Sequence, residues 1–468
     1  MDFRSYFALP LALAALGGCS TLAPDGGFTP VAVSVQERTG AATRLIRTDE
    51  DAADARAFIA DRLALPVTPD AAVAIALINN PGLQARYAEL GIAQAQLVQA
   101  GRLPNPRFSF SHIGSGDTLE IERRFAVDVM SVLVMPLTLK LEGGRFALAQ
   151  STAAVDALRV AAEARRAAVS ATAAAQGVRY YEQVLVAAEA SAELARQMVA
   201  VGNWNKLNQM RQQVFHADAL AQLARARNAA ALARERLARV IGLAATPDAI
   251  VLPERLPDLP AAPRVVADVV AVALAQRLDV RMARQGLDAT VYALGLTRAT
   301  RFVNVFDLAY RNKNDAGAPR RNGYEIEIEV PLFDWGDAKL AKAEAIYRQA
   351  ASELAETSGN AQSEARAAYD TYRTTYALAR QFRDDIVPLR KRIADENQLR
   401  YNAMQISVFE LLADAREQVM SVYGAIEAQR DFWLAEADLQ AATIGGAGGA
   451  GTALAPRTGD AAVAPPAH

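Results

Sequence analysis

Few residues in this chain are of a type and spacing that could do chemistry, and most of their patterns argue against it. His112, His216 and His468 lie far apart. No carboxylates accompany them at ligand spacing, so a catalytic zinc centre is not expected. Asp384-Asp385 and the alternate acids Glu325, Glu327 and Glu329 could be paired acids for proton transfer; a solvated face accounts for them more simply. Met130, Met135 and Met404 could offer soft thioethers to copper or silver; packing or chance accounts for them more simply. No phosphate-cradling glycine loop or dinucleotide fingerprint occurs. The expectation is a protein that is not an enzyme and carries no cofactor or resident metal.

One residue does point to chemistry. Cys19 is the only cysteine, so no internal disulfide can form. Behind it stand Arg4, the apolar run Phe7 to Leu16, and Leu16-Gly17-Gly18. The run has signal-peptide length and is too short to span a bilayer. The junction resembles a bacterial lipobox, in which cleavage leaves the cysteine to be acylated. Residues 1–18 are then a signal peptide. Ser20 replaces the Asp that marks inner-membrane retention, which by resemblance directs the product to the outer membrane. Acyl chains contribute roughly 0.8 kcal/mol per buried methylene, enough in combination for a stable anchor.

The elements behind these residues follow from periodicity. Of 468 residues, 50 are Lys or Arg and 52 are Asp or Glu, a formal net charge of -2. That balance gives no field to recruit nucleic acid. Residues 19–67 read as an extended tether with a short helix at Asp49 to Leu65. Residues 68–245 form a first unit, 246–264 a Pro-rich linker, 265–444 a second unit, and 445–468 a low-complexity, disordered tail. Each unit reads helix, strand, strand, long helix, long helix. Ala76-Leu77 recurs as Ala273-Leu274, an offset of about 197 positions.

In the first unit the strands are Arg107 to Ile113 and Phe125 to Leu133, with Pro136 and Gly143-Gly144 ending the second. In the second unit they are Arg301 to Arg311 and Tyr324 to Leu332, around a polar loop from Asn312 to Asn322. Glu325, Glu327 and Glu329 share one face of the last strand; Ile326, Ile328 and Val330 share the other. An amphipathic edge hairpin in a soluble protein would read the same way. From Gly144 to Gly202 runs an uninterrupted helix with an apolar seam: Ala153, Ala157, Val160, Ala164, Ala167, Ala171, Ala174, Val178, Tyr181, Leu185, Ala188, Ala192, Ala195 and Val199. At about 1.5 Å per residue it approaches 80 Å, too long for the core of a compact domain. The chain reverses at Gly202 and returns. The second long helix follows Gly336 and should kink or divide at Pro388. It reverses at Met404, and Ser407 to Glu410 opens the last helix as a capping box.

Four strands cannot close a barrel, and open edges are not tolerated in lipid. Strands from several chains must therefore combine. Two chains would supply about eight, a bore that side chains tend to fill; three supply about twelve, the better reading for a barrel that carries a solute path, with the Glu325/Glu327/Glu329 row towards water. The helical hairpins, packed side by side in a ring, would enclose a tube.

These pieces together resemble the TolC-type outer membrane efflux family, in particular its lipid-anchored members. The matching stretches are Ala76-Leu77 with Asn79-Asn80-Pro81-Gly82-Leu83, Leu103-Pro104-Asn105-Pro106, and Val134-Met135-Pro136-Leu137 up to Gly144-Arg145. Val330 to Gly336 (VPLFDWG) and Leu399-Arg400-Tyr401 before Ser407 to Leu412 complete the set. The resemblance implies a mainly α fold with a small β part. It implies a homotrimer with a twelve-stranded barrel in outer membrane lipid and a helical tunnel in the periplasm. Implied partners are a periplasmic adaptor (membrane fusion) protein and an inner-membrane pump of the RND type. Implied gate candidates lie beside the reversals: Gly202 and Asn208 in the first unit, Arg400, Tyr401, Met404 and Glu410 in the second. Asn208 stands where the family often has an acid, and Met404 where a Gly is usual. Glu410 reads equally as a gating acid or as part of the capping box. The rival reading from another class is a periplasmic coiled-coil adaptor or scaffold lipoprotein.

Overall fold

The computed structural model describes residues 22–115, 118–300, 305–315, 319–328, 333 and 335–445. Cys19, the signal segment, Glu329, Val330 and the tail beyond Gly445 lie outside them.

The N-terminal stretch is not an extended tether, as the sequence suggested. It carries a helix, α1 (Thr29–Thr39), ahead of α2 (Asp49–Leu63). The Asp25 carboxylate accepts from the Gly27 and Thr29 amides and from the Thr29 hydroxyl. Pro30 then sits in the first turn, where its missing N–H costs nothing. Val31 and Val35 are buried, and the Phe28 ring meets Tyr87 edge-on at 4.8 Å. The Gly/Pro punctuation read as tether is thus the start of a docked helix. Thr48 and Asp51 form a full capping box on α2.

Two capped helices follow, α3 (Pro69–Asn79) behind Thr68 and α4 (Pro81–Ala100) behind Asn80. They pack on α5 (Val129–Ala200) and its return partner α6 (Lys206–Val240). Leu77, Leu83, Tyr87, Leu158, Leu237 and Ile241 are fully buried where these helices meet. The second half repeats the plan with α7 (Val269–Gln276), α8 (Leu278–Thr300), α9 (Asp337–Gln381), α10 (Val387–Asn402) and α11 (Val408–Ile444). Tyr372, Tyr376 and Phe432 pack together there. Between α9 and α10 a π turn, Phe382–Ile386, lies directly ahead of Pro388. This is the division expected at that proline.

The halves correspond in detail. Asn80 and Arg277 each end a short helix, their amides donating to Ala76 and Ala273. The Asn80 side chain donates to the Val240 carbonyl near the end of α6, and the Arg277 guanidinium to the Ala442 carbonyl near the end of α11. Each long helix then exits through a glycine of positive φ, Gly242 at 77° and Gly445 at 91°. A Cβ on Gly242 would lie 2.3 Å from the Asn79 carbonyl oxygen. No side chain fits there.

The helix α5 has 72 residues, about 110 Å at the standard rise. It starts at Val129, well before Gly144, so Val129 to Leu133 is helix rather than strand. The cause is local: the Asp128 carboxylate accepts from the Ser131 amide at 2.9 Å and from its hydroxyl, a strong N-cap that overrides the alternating pattern. Pro136 and Gly143-Gly144, read as a strand stop, lie inside the helix. No residue of the predicted seam is exposed. Towards the tip burial settles on Tyr181, Val184, Ala188, Ser191 and Ala195, a 3-4-3-4 spacing of coiled-coil type; Val184 and Ser191 replace the expected Leu185 and Ala192.

The four strands form one antiparallel sheet in the order β1 (Arg107–Ser115), β2 (Thr118–Asp128), β3 (Phe306–Asp315), β4 (Arg321–Ile328). The expected loop from Asn312 to Asn322 is partly strand: Asn312 pairs with Asn322 and Lys313 with Arg321. Of the expected strand from Arg301, residues 301–304 lie outside the described part.

Candidate membrane sheet and helical tips

The pleat divides the sheet into two unlike faces. One face is apolar and arranged in rows. Nearest the helices lie Phe306 and Ile328. Val127, Leu308 and Ile326 follow. Next come four rings abreast: Phe108, Phe125, Tyr310 and Tyr324. The row beyond is Phe110, Arg123, Asn312 and Asn322; His112, Ile121 and Asn314 follow, and Gly114 opposite Leu119 comes last. Leu308, Ile326 and Ile328 are exposed, as are all four rings of the aromatic row.

The other face is a lattice of ion pairs. Arg107 pairs with Asp307. Arg124 reaches Glu325 at 3.3 Å and Glu327 at 3.2 Å. Arg311 joins Glu122 at 2.8 Å to Glu325 at 3.3 Å. Lys313 binds Glu120 at 2.6 Å. Arg124 lies on β2 and its acids on β4, so it crosses β3. It can do so because the residue beneath is Ala309, buried at 2% exposure, beside Ala126 at 3%. The predicted acids Glu325 and Glu327 do share this polar face, opposite Ile326 and Ile328. The bases that neutralise them, Arg124 and Arg311, were missed; Arg124 precedes the strand start assigned from sequence, Phe125.

At the far end of α5 the chain turns through Gly202, at φ 78°, and at the far end of α10 through Met404, at φ 59°. Asn205 caps α6 by accepting from the Asn208 amide at 2.9 Å. Ser407 caps α11 by accepting from the Glu410 amide at 3.4 Å. The reciprocal bond of a full capping box is not present among the described residues. Arg400 donates to Glu396 at 3.0 Å, and Met404 is 94% exposed. The candidates Gly202, Asn208, Arg400, Tyr401, Met404 and Glu410 thus all lie at or beside the two reversals. No described bond joins Asn208, Arg400, Tyr401 and Glu410 to one another.

What links the hairpins near their tips is a group the sequence did not single out. Arg416 of α11 donates to the Arg211 carbonyl at 3.3 Å and to the Gln212 side-chain oxygen at 3.2 Å. Its guanidinium lies 4.4 Å over the Phe215 ring. Gln212, buried at 3% exposure, also accepts from Ser191 of α5 at 3.0 Å.

Among the described residues, no group of three or more His, Cys, Asp or Glu side chains could hold a metal. No described helix is long and apolar enough to cross a membrane, which says nothing of a β-barrel.

No protein-family model and no curated protein matches this sequence. Solved structures do. The CmeC outer membrane channel of Campylobacter jejuni aligns with TM-score 0.70 and 15% identity over 81% of this chain and 86% of that one. The MtrE outer membrane channel of Neisseria gonorrhoeae, in its open state, aligns at 0.66 and 17% over 80% and 88%. The outer membrane protein VceC of Vibrio cholerae aligns at 0.66 and 17% over 84% and 97%. The fold is therefore that of outer membrane channels. More particularly it is the TolC-type fold, mainly α with a small β part, two tandem repeats and long helical hairpins.

Proposed function

We propose that this chain is the outer membrane exit duct of a tripartite efflux pump, working as a homotrimer and conducting substrates passively. The observation that carries the proposal is the two-faced sheet with open edges. β1 and β4 each have a neighbour on one side only. Their free backbone groups need strands from further copies before the apolar face can enter lipid. Three copies supply roughly twelve strands, the width at which a barrel keeps an open bore. The helices leave one end of the sheet, so they point into the periplasm and the strand-connecting loops point outward. Acylation at Cys19 would anchor the same surface to outer membrane lipid. A periplasmic adaptor and an RND-type inner-membrane pump complete the path, with the reversals at Gly202 and Met404 as the docking end.

An adaptor or scaffold lipoprotein has no use for a sheet with one ion-paired face and one face of exposed aromatic and aliphatic side chains. Conductance in planar bilayers separates the readings. Purified trimer should give stepwise channels, more open when the tips are mutated. A trimer that never conducts, even with altered tips, sinks the channel proposal.

A further inference from the structure

On the lipid-side face of the sheet the apolar rows end at the four aromatic rings. Polarity begins one row further out, about 7 Å towards the loops. Aromatic rows of this kind sit at the level of lipid headgroups in membrane barrels. The next row contains Arg123, the one Lys or Arg among the strand-paired residues of that face. Its guanidinium lies 5.9 Å from the centre of the Phe110 ring, and Nη1 donates to the Asn312 side-chain oxygen at 3.3 Å. No carboxylate among the described residues pairs with it. On the opposite face Arg107, Arg124, Arg311 and Lys313 each meet one.

We infer that Arg123 is a headgroup site: it binds the phosphate of a phosphorylated glycolipid in the outer leaflet, three times around the trimer. The inference rests on the reading that the sheet spans the outer membrane with its loops outward. The contact with the Phe110 ring does not use up the N–H donors of the guanidinium, and its planar fork matches two phosphate oxygens at once. Asn312 fixes the direction of one N–H. The adjoining aromatic row offers the lipid's acyl chains an apolar wall, which a free phosphate ion would not use. An unpaired arginine facing hydrocarbon is tolerated only where it can reach the interface, which is where the aromatic row puts this one.

The test uses full-length trimer purified in detergent and native mass spectrometry of retained lipid. Diphosphoryl lipid A should be retained about fivefold more strongly than its dephosphorylated form, the scale expected of one arginine near a membrane surface. Arg123→Gln should abolish the difference, and Arg123→Lys should keep part of it, having charge without the fork. Equal retention of the two lipids by the unaltered protein overturns the inference without needing any variant. So does an undiminished preference in Arg123→Gln. Displacement of lipid A by inorganic phosphate at matching concentration would make the site one for free anions and overturn the lipid assignment. A chain that retains neither lipid and does not fractionate with the outer membrane instead overturns the spanning reading.

Discussion

Met404 occupies in the second hairpin the position that Gly202 occupies in the first. The Gly202 amide donates to the Val199 carbonyl at 3.0 Å and the next amide, of Asn203, to Met198 at 2.9 Å; the Met404 amide donates to Tyr401 at 2.9 Å and that of Gln405 to Arg400 at 2.9 Å. Both residues have positive φ, and Met404 is the only described non-glycine that does. A left-handed conformation costs an L-residue with a side chain roughly 1 kcal/mol or more. The 94% exposed side chain of Met404 has no packing to offset it. Met404→Gly should therefore stabilise the second reversal by about 1 kcal/mol. Slower hydrogen exchange of the amides from Ala403 to Ser407 is the check; faster exchange would mean the methionine holds the turn.

Arg416 should hold the two hairpins together near their tips. Removing it takes away the Phe215 stacking and two hydrogen bonds, and leaves the buried Gln212 oxygen with Ser191 alone. Arg416→Ala should cost roughly 2 kcal/mol and raise the open probability of reconstituted channels. Arg416→Lys should recover less than half, because an ammonium cannot reach both acceptors while lying flat on the ring. Unchanged thermal unfolding together with unchanged gating would show the link to be idle.

The two faces of β4 should respond oppositely to charge. Ile326→Arg places a cation on the apolar face, at a cost of roughly 2–4 kcal/mol if it lies near the bilayer midplane. It should deplete the protein from the outer membrane fraction. Glu327→Gln removes one acid from the ion lattice and should leave that fraction intact. Equal recovery of both variants would mean the sheet is not in lipid.

Asp25 makes the docking of α1 sensitive to acid. The Thr29 hydroxyl first, then the Gly27 and Thr29 amides, hold its carboxyl down at about 2. The folded pKa thus lies below the unfolded value near 4. Its contribution is present above about pH 4 and is lost as pH falls through 2. In urea unfolding, the advantage of the unaltered chain over Asp25→Asn should be constant from neutral pH down to about 5 and disappear by about pH 2. An advantage that persists at pH 2 would refute the assignment.

What was legible in the sequence is what neighbours in the chain decide. The reversals show as Gly202 and as Met404 before the Ser407 cap, and the alternation from Tyr324 to Ile328 separates Glu325 and Glu327 from Ile326 and Ile328. The strand limits were misjudged where one side chain outvotes a pattern. Asp128 caps a helix at Val129, although alternation runs on to Leu133. The polar residues from Asn312 to Asp315 look like loop because their partner, Arg321 to Asn322, is equally polar. The ion lattice was hidden for a different reason. Arg124 and Glu327 are 203 residues apart, and only the β2–β3 pairing between the two halves brings them within reach. Arg416 and Gln212, separated by 204 residues, were hidden in the same way.

If the polar face lines the proposed channel, the crossing of Arg124 over Ala309 has a consequence for anything that moves along that wall. On the polar face Arg107, Arg124, Arg311 and Lys313 are each matched within the sheet by an acid a few ångströms away, and Arg124 and Arg311 are each shared between two. Charges spent on one another leave shallow wells for a passing ion or drug, and transport is fast when binding along the path is weak. Replacing Ala309 with a bulky residue would separate Arg124 from its acids and expose both signs, and the smooth wall would become an adhesive one.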